Sequence, residues 1–348
     1  MKSTIIRSLL ILPVLFAPGW CTADAVVLIY HRFGEDTLPA TSVRLAQFDA
    51  HLAHLAEKGF AVWPLEKIVT TLRDGGTLPD KTVAITIDDG FASVYTGAYP
   101  RLKARGFPFT LFLNTDAIDR GLAGYLTWHQ VREMVRHGAR VANHTASHAA
   151  LWKRLPGEQK ETWAKRVRED IVRAQTRLQQ ELGPDANEEP RLFAYPYGEY
   201  TADYARLVRQ MGYIAFGQHS GAIARLGEGL ALPRFAMSEQ YAALDEFALK
   251  VRSLAFPVEH EEPWDPLRRD GSPVVLRITL GPSEANLDAL ACYSGGRAIP
   301  VQWLDEARSR FEVAATAPLA PGRNRYNCTA PKRGEKRFYW YSHPWIVP

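Results

Sequence analysis

The chain has 348 residues, of which 46% are hydrophobic, so it can bury a sizeable core in one large domain and one small domain. Its formal net charge of +4 is small for this length, and basic residues are interspersed with acidic ones along the chain. These features argue against a nucleic-acid-binding protein and indicate an ordinary globular protein.

The first predicted element is a secretory signal peptide over residues 1–25. A basic start is followed by the apolar run LLILPVLF, and the small residues in CTADA favour cleavage after Ala23 or Ala25. This run is too short for a permanent membrane span, and no later window approaches the ~20 apolar residues that a span requires. We therefore expect an exported protein, periplasmic or extracellular, without an integral membrane span.

Short apolar strands alternate with amphipathic helices over residues 26–256. The strand patterns are VVLIYH, VAITI, FTLFL, ARVAN and RLFAY, and the longest helical pattern covers residues 158–182. Such alternation is typical of a parallel α/β sheet or barrel.

The composition changes after Pro257. Residues 257–272 are charged, contain several prolines and have few aliphatic side chains, which predicts a linker. Residues 273–348 lack the helical period and show short β patterns between Pro/Gly turns, which predicts a small antiparallel β-sandwich. The expected fold class is thus an α/β barrel with a C-terminal β-sandwich.

Cysteine usage agrees with export. Removal of the signal peptide leaves Cys292 and Cys328, an even pair that we expect to form a disulfide in an oxidising compartment, with two buried thiols as the alternative. Cys21 lies beside the cleavage zone and keeps a lipid anchor open as a second alternative, although Trp20 is a poor neighbour for that processing.

Two adjacent carboxylates follow the predicted strand VAITI. Asp88 and Asp89 fall at its C-terminal end, the rim where parallel barrels keep their active sites, and Gly90 supplies a tight turn. Neighbouring carboxylates repel each other, and a bound cation is the simplest way to keep both ionised. Seen alone, DDG also fits a turn with a helix cap.

Two histidines follow the predicted strand ARVAN. His144 and His148 are four residues apart, a spacing that allows both imidazoles to bind one metal ion. Since both strand ends belong to one α/β domain, Asp89, His144 and His148 are candidates for a three-ligand site. Positions left for water and substrate would make it a catalytic arrangement of the zinc type.

Two further strand ends carry candidate groups. In FAYPYG, residues 193–198, Pro196 and Gly198 form a sharp loop whose backbone N–H groups can stabilise an oxyanion. VVLIYH ends in His31, which can serve as a proton donor at the same rim, although a buried structural histidine is the ordinary explanation.

The motifs TIDDG, HTASH and FAYPYG resemble, in this order, the first three motifs of the polysaccharide deacetylases, the NodB-like carbohydrate esterases. The resemblance covers about residues 26–255 and implies a distorted (β/α) barrel with metal-dependent removal of acetyl groups from N-acetylated sugars. By this resemblance Asp88 is the catalytic base and Tyr197 is the oxyanion donor through its backbone N–H. The metal ligands that it implies are Asp89, His144 and His148.

The chain departs from the family pattern at two points. Many members have an arginine in the third motif, where this chain has Ala194, and Arg234 or Arg191 is a candidate substitute. The usual late motif with a catalytic histidine is not evident, because His219 in GQHSG lacks a preceding apolar strand. VVLIYHRF resembles the branch acting on biofilm poly-N-acetylglucosamine, which has this histidine on the first strand, so we prefer His31 to His219 as general acid.

The expected function is metal-dependent N-deacetylation of a polysaccharide containing N-acetylglucosamine, with a biofilm or exopolysaccharide substrate favoured and acetate as product. The expected cofactor is a divalent metal, with Zn²⁺ preferred. The alternatives are a peptidoglycan or chitin-oligomer deacetylase and, in another class, a catalytically inactive carbohydrate-binding protein. The sequence carries no indication of oligomeric state.

Overall fold

The computed structural model describes residues 24–348. The predicted signal peptide and Cys21 therefore lie outside the described residues, except for Asp24 and Ala25. Among residues 24–348, no helix combines the length and the apolar character needed to cross a bilayer.

The first two thirds of the described chain form a half-barrel, a large curled sheet covered by helices, with a separate two-stranded sheet of Arg32–Phe33 and Ser42–Val43. The strands are β1 (Ala25–Tyr30), β2 (Arg32–Phe33), β3 (Ser42–Val43), β4 (Ala61–Val62), β5 (Thr82–Asp89), β6 (Thr110–Leu113), β7 (Arg140–Asn143), β8 (Leu192–Ala194), β9 (Ile214–Phe216), β10 (Ala222–Ile223) and β11 (Phe235–Ala236). The helices are α1 (Leu45–Glu57), α2 (Leu65–Arg73), α3 (Tyr99–Arg105), α4 (Thr115–Asp119), α5 (Trp128–Arg136), α6 (Lys160–Leu182), α7 (Ala202–Gln210) and α8 (Leu244–Lys250).

The large sheet has the strand order β10–β1–β5–β6–β7–β8–β9, with β11 also beside β1 and β4 beside β5. Its strand pairs are parallel, except that β1 and β10 are antiparallel. Strand β5 is buried at all eight positions, as its mostly β-branched apolar sequence requires in a sheet covered on both faces. The carboxyl ends of these parallel strands meet at one rim.

The long amphipathic helix forms as the sequence predicts. Helix α6 buries one stripe of apolar side chains against the sheet, and Gly183 with a φ of 106° ends it. Its buried apolar residues are Trp163, Val167, Ile171, Ala174 and Leu178. This stripe belongs to the core and carries no functional group.

Two further sheets, mostly antiparallel, follow the half-barrel. Their strands are β12 (Leu254–Ala255), β13 (Val258–Glu262), β14 (Leu276–Leu280), β15 (Ala291–Ser294), β16 (Arg297–Ile299), β17 (Val301–Trp303), β18 (Arg310–Val313), β19 (Gly322–Pro331) and β20 (Phe338–Val347). One sheet has the order β12–β20–β19–β15–β16 and the other β13–β14–β18–β17, and both contribute to one apolar cluster. The predicted fold class, an α/β barrel with C-terminal antiparallel sheets, is confirmed.

The chain between the two parts is more ordered than its composition suggests. Residues 257–272 were expected to form a linker, yet Val258–Glu262 is strand β13, paired with β14. Strand β12, which precedes Pro257, also belongs to a C-terminal sheet through its parallel pairing with β20. Most side chains of β13 are exposed, and the strand is held in its sheet by backbone hydrogen bonds. Its sequence VEHEE therefore does not need the apolar pattern by which strands are recognised.

The two cysteines of the C-terminal sheets are bonded to each other, as predicted. Cys292 on β15 lies directly opposite Cys328 on β19 and forms a disulfide with it across a separation of 36 residues. Both side chains are buried in the core shared by the two sheets. Closing a loop of this length stabilises the fold by roughly 3–4 kcal/mol through restriction of the unfolded chain.

Candidate active site

The two adjacent carboxylates occupy the last two positions of β5 and serve different partners. Asp88 is fully buried and Asp89 is nearly so. Asp89 has a φ of 75° and Gly90 a φ of 80°, so the sharp turn begins at Asp89, one residue earlier than the sequence suggested. A side chain at Gly90 would meet Leu113 Cδ2 at 3.0 Å, which makes glycine the residue that fits this turn.

Asp88 is held by a buried arginine. Arg234 Nη1 donates to Asp88 Oδ1 at 2.8 Å and Nη2 donates to Oδ2 at 2.7 Å, and neither side chain is exposed. Arg234 is itself fixed, because Nε donates to the Gly217 carbonyl at 2.9 Å. Of the two arginines considered from the sequence, Arg234 contacts Asp88, whereas Arg191 donates to Glu188. The bidentate pair fixes the plane of the Asp88 carboxylate.

Asp89, His144 and His148 converge at the rim. One donor atom from each residue lies within 4.8 Å of the others. Asp89 Oδ1 is 3.2 Å from His144 Nε2 and 3.0 Å from His148 Nε2. Asp89 Oδ1 and His144 Nε2 are buried and lack a regular hydrogen-bond partner in the described chain. A carboxylate oxygen and an imidazole nitrogen that are buried without hydrogen-bond partners are suitable ligand atoms for a divalent metal such as zinc.

The orientation of His144 supports its use as a ligand. Its Nδ1 lies 2.8 Å from the carbonyl oxygen of Ala194 on β8. A carbonyl only accepts, so Nδ1 carries the proton and Nε2 presents its lone pair toward Asp89. The backbone at Ala194 thus sets the tautomer of His144.

The loop that bears the two histidines is tightly held. Thr145 and His148 have positive φ values of 66° and 56°, and His148 N donates to Thr145 Oγ1 at 3.0 Å. Thr145 N in turn donates to Asn143 Oδ1 at 2.8 Å. These contacts stabilise a compact turn that brings both imidazoles to one side.

Asp170 is a supporting residue that the sequence reading missed. It projects from α6, and its Oδ1 accepts from Ala146 N at 2.8 Å and Ser147 N at 3.2 Å. A signal was present, because an acidic residue interrupts the apolar stripe next to Ile171, where a buried charge needs a partner.

Asp89 and His144, the two buried candidate ligands, each shift the pKa of the other. Burial alone would raise the pKa of Asp89, but the neighbouring imidazoles of His144 and His148 hold it well below its usual range. Burial alone would lower the pKa of His144, but Asp89 and Asp88 raise it above its usual value. The Asp89 carboxylate therefore stays ionised between the two imidazoles, where a cation would bind.

His31 lies at this rim, immediately after β1. Burial lowers its pKa, while the nearby charges of Asp89 and Asp88 act in the opposite direction. Gln218 Nε2 lies 3.5 Å from His31 Nε2. The structure therefore places His31 near both carboxylates.

His219 has different surroundings. Its ring centroid is 6.2 Å from that of Tyr200, and burial lowers its pKa to about 3. The charges that act on it include Glu261 and His343 from the C-terminal sheets. It lines a cleft of about 1740 Å³ between the half-barrel and these sheets.

Tyr197 lies beside His148, one of the candidate metal ligands. It has a left-handed backbone with a φ of 60°, unusual for a residue with a side chain, and the residue is 44% exposed. The ring centroid is 4.7 Å from that of His148. The loop after β8 thus reaches the ligand cluster, as predicted from the FAYPYG pattern.

A family model for polysaccharide deacetylase matches residues 75–216. The chain contains a polysaccharide deacetylase domain. The matched range includes the carboxylates at the end of β5, both histidines of the HTASH loop and Tyr197. The family consists of hydrolases that act on carbon–nitrogen bonds other than peptide bonds, and the chain is an enzyme of this class.

Several relatives share this deacetylase domain. YxkH of Bacillus subtilis (strain 168), which is named for the same family, is 27% identical over 219 residues, which are 62% of this chain and 72% of YxkH. The poly-β-1,6-N-acetyl-D-glucosamine N-deacetylase of Escherichia coli (strain K12) is 26% identical over 265 residues, and the match covers 67% of this chain. The match spans only 39% of the length of that E. coli relative.

A solved structure has the same deacetylase architecture. IcaB from Ammonifex degensii superimposes with a TM-score of 0.54 at 27% identity. The superposition covers 64% of this chain and 96% of IcaB.

Proposed function

We propose that the protein is a metal-dependent N-deacetylase that removes acetyl groups from a polysaccharide containing N-acetylglucosamine and releases acetate. The observation that carries this proposal is the convergence of Asp89, His144 and His148 beside the buried Asp88–Arg234 pair. A substrate of the poly-N-acetylglucosamine type is favoured because the E. coli relative is named for it. A peptidoglycan or chitin-oligomer substrate uses the same groups and is the alternative.

In this proposal Asp89, His144 and His148 hold a divalent ion, for which we propose zinc. Such an ion supplies Lewis acidity for the acetyl carbonyl and lowers the pKa of water from ~16 toward ~7. A set of three protein ligands would leave room for water and substrate, as is typical of catalytic zinc sites.

Asp88 is the proposed general base. It removes the proton from the attacking water, and the bidentate pair with Arg234 fixes the orientation of its carboxylate. Negative charge then develops on the carbonyl oxygen, where the backbone N–H of Tyr197 donates a hydrogen bond. His31 donates a proton to the departing sugar amine, which is a poor leaving group when unprotonated.

We also propose export, with cleavage at one of the two positions that the sequence favours. Ala25 is the first residue of β1, and the Asp24 carboxylate accepts a hydrogen bond from Ala255 N at 2.7 Å. Of the two candidate cleavage positions, the one after Ala23 preserves both contacts. We therefore propose a periplasmic or extracellular mature protein that begins at Asp24, with a deacetylase barrel to residue 256 and a C-terminal β module after it.

The test is acetate release from defined oligomers. The zinc-loaded mature protein is incubated with β-1,6- and β-1,4-linked N-acetylglucosamine oligomers and with peptidoglycan fragments, beside a chelated sample and Asp88→Asn. We expect acetate from the β-1,6-linked oligomer, and none from that oligomer with chelator or in the variant. Acetate from another substrate alone would replace the favoured substrate class. Sugar binding without acetate release, at full metal loading, would instead support the inactive carbohydrate-binding protein.

A further inference from the structure

The C-terminal sheets reach the proposed catalytic rim through Arg323 on β19. Arg323 Nη1 donates to the carbonyl oxygen of Tyr197 at 2.9 Å. Its Nε also lies 4.0 Å from Glu199 Oε1, at the limit of an ion pair. One side chain of the C-terminal module therefore contacts the loop that bears the proposed oxyanion donor.

Glu199 extends this contact to the loop that follows the metal ligands. Its Oε2 accepts a hydrogen bond from Trp152 Nε1 at 2.7 Å, and Trp152 follows His148 by four residues. The Arg323 guanidinium, the Glu199 carboxylate and the Trp152 indole thus connect the loops after β7 and β8. Both loops contribute groups to the proposed active site.

The backbone of Arg323 is held against the half-barrel by its neighbouring strand. In the β19–β20 pair Arg323 lies opposite Ile346, and Ile346 is buried in an apolar cluster with Trp152 and Tyr195 of the deacetylase domain. Further along β20, Trp340 packs edge-on against Phe235, with ring centroids 5.3 Å apart. Since β20 is anchored at both points, β19 presents Arg323 from a fixed position.

The Tyr197 loop needs external support. A left-handed conformation is unfavourable for a residue with a side chain, so neighbouring contacts must stabilise the φ of 60° at Tyr197. On one side the loop packs closely on Gln218, since a Cβ at Gly198 would lie 2.5 Å from Gln218 Cβ. On the other side Arg323 binds the Tyr197 carbonyl, which orients the peptide unit next to the proposed donor N–H.

We propose that Arg323 is a positioning residue for deacetylation, through which the C-terminal module holds the Tyr197 backbone in the geometry that stabilises the oxyanion. This inference rests on the proposed function, because it assigns the Tyr197 N–H to the developing negative charge. It gives the β module a role in completing the active site, in addition to any role in stability.

The experiment compares Arg323→Gln and Arg323→Lys with the unmodified protein and a matched control. The control is Arg333→Gln, which removes the same charge from an exposed arginine of the same module. We measure kcat and KM for acetate release, metal content, and the far-UV circular dichroism spectrum and melting temperature of each protein. Arg323→Lys provides a rescue test, because lysine keeps the charge and can donate one hydrogen bond to the Tyr197 carbonyl.

For Arg323→Gln we expect kcat to fall roughly threefold to tenfold, the effect of losing one partly exposed hydrogen bond, with KM nearly unchanged. The reason is that an oxyanion donor acts in the transition state and adds little to substrate binding. Arg323→Lys should recover part of kcat, and metal content should stay the same in all variants.

Two outcomes would overturn the role of Arg323. One is an equal kcat in Arg323→Gln and Arg333→Gln, and the other is a rise in KM alone, which would make Arg323 a substrate-binding residue. Absence of acetate from the unmodified protein and from Arg333→Gln would instead overturn the proposed function, and this inference with it. If Arg323→Gln fails to fold, Arg323→Lys provides the test. We expect its kcat to be lower than that of the Arg333→Gln control, and equal kcat values would overturn the inference.

Discussion

Arg234 and Asp88 form a bidentate ion pair with no solvent exposure on either side chain. The pair joins the residue that precedes β11 to strand β5, and both strands are neighbours of β1. A buried charge without a partner is costly, so each of these two side chains depends on the other in the folded protein. Arg234 thus connects the folding of the domain with the proposed chemistry.

Removal of the Arg234 guanidinium should destabilise the protein strongly. Arg234→Met leaves the Asp88 charge buried and unpaired, and we expect a loss of about 3–5 kcal/mol in the free energy of unfolding, measured by urea denaturation. Arg191→Met is the control, because Arg191 pairs with Glu188 at the surface and should cost less than about 1 kcal/mol. The double variant Asp88→Asn/Arg234→Met should recover part of the loss. Equal losses in the two single arginine variants would contradict this account.

Metal binding should depend on the three converging ligands and be independent of Asp88. We expect Asp89→Ala, His144→Ala and His148→Ala each to lose bound zinc after dialysis, measured by elemental analysis, because a three-ligand site keeps little affinity with two. His129→Ala removes an exposed histidine and should keep one ion per chain. Asp88→Asn should also keep its ion, since Asp88 pairs with Arg234. Full metal content in His144→Ala would show that the ion binds elsewhere.

The two candidate acids can be separated kinetically. We expect His31→Ala to lower kcat by on the order of 10²–10⁴, the usual contribution of general acid catalysis, because His31 lies near both carboxylates. His219→Ala should change kcat far less, since His219 is surrounded by Tyr200 and groups of the C-terminal sheets. Circular dichroism checks that both variants are folded. The reverse order of effects would assign the acid to His219.

The stability of the protein should fall on acidification through a buried histidine outside the site. His51 Nε2 lies 2.9 Å from the Ala242 carbonyl, and its Nδ1 lies 3.0 Å from the Tyr30 hydroxyl. Its ring stacks on Phe247 at 3.9 Å. Burial lowers the pKa of His51 to about 4, despite the opposite effect of the Ala242 hydrogen bond. The neutral form is therefore the one that the folded state accommodates.

Protonation of His51 favours the unfolded chain over the folded protein. The unfolded chain, in which the histidine pKa is about 6.5, binds a proton in a range where the folded protein does not. Stability from His51 is thus fully present above about pH 6.5 and is lost as the pH falls toward 4, by on the order of 3 kcal/mol. Unfolding free energies of His51→Gln should depend less on pH over this range than those of the unmodified protein or of His129→Gln. Parallel pH profiles for all three would contradict the assignment.

Much of the candidate site was predictable because it obeys a local rule. Asp88, Asp89, His144 and His148 each follow a recognisable apolar strand, and the carboxyl ends of parallel strands meet at one edge of the sheet. The same reasoning placed Tyr197 and His31 near this edge. The identity and direction of the strands are therefore enough to predict that these residues lie at one edge of the sheet.

The sequence by itself determined the α/β alternation, the disulfide pair and the residues at the strand ends, because each has a short-range pattern of burial or spacing. Only the tertiary structure decided the partners of those residues. Arg234 is 146 residues from Asp88 and meets it because β11 pairs with β1 beside β5. Arg323 is 126 residues from Tyr197 and meets it because β20 packs on the half-barrel. The sequence named Arg234 only as one of two candidates and did not indicate Arg323, because the role of a charged side chain depends on the partner that the fold brings to it.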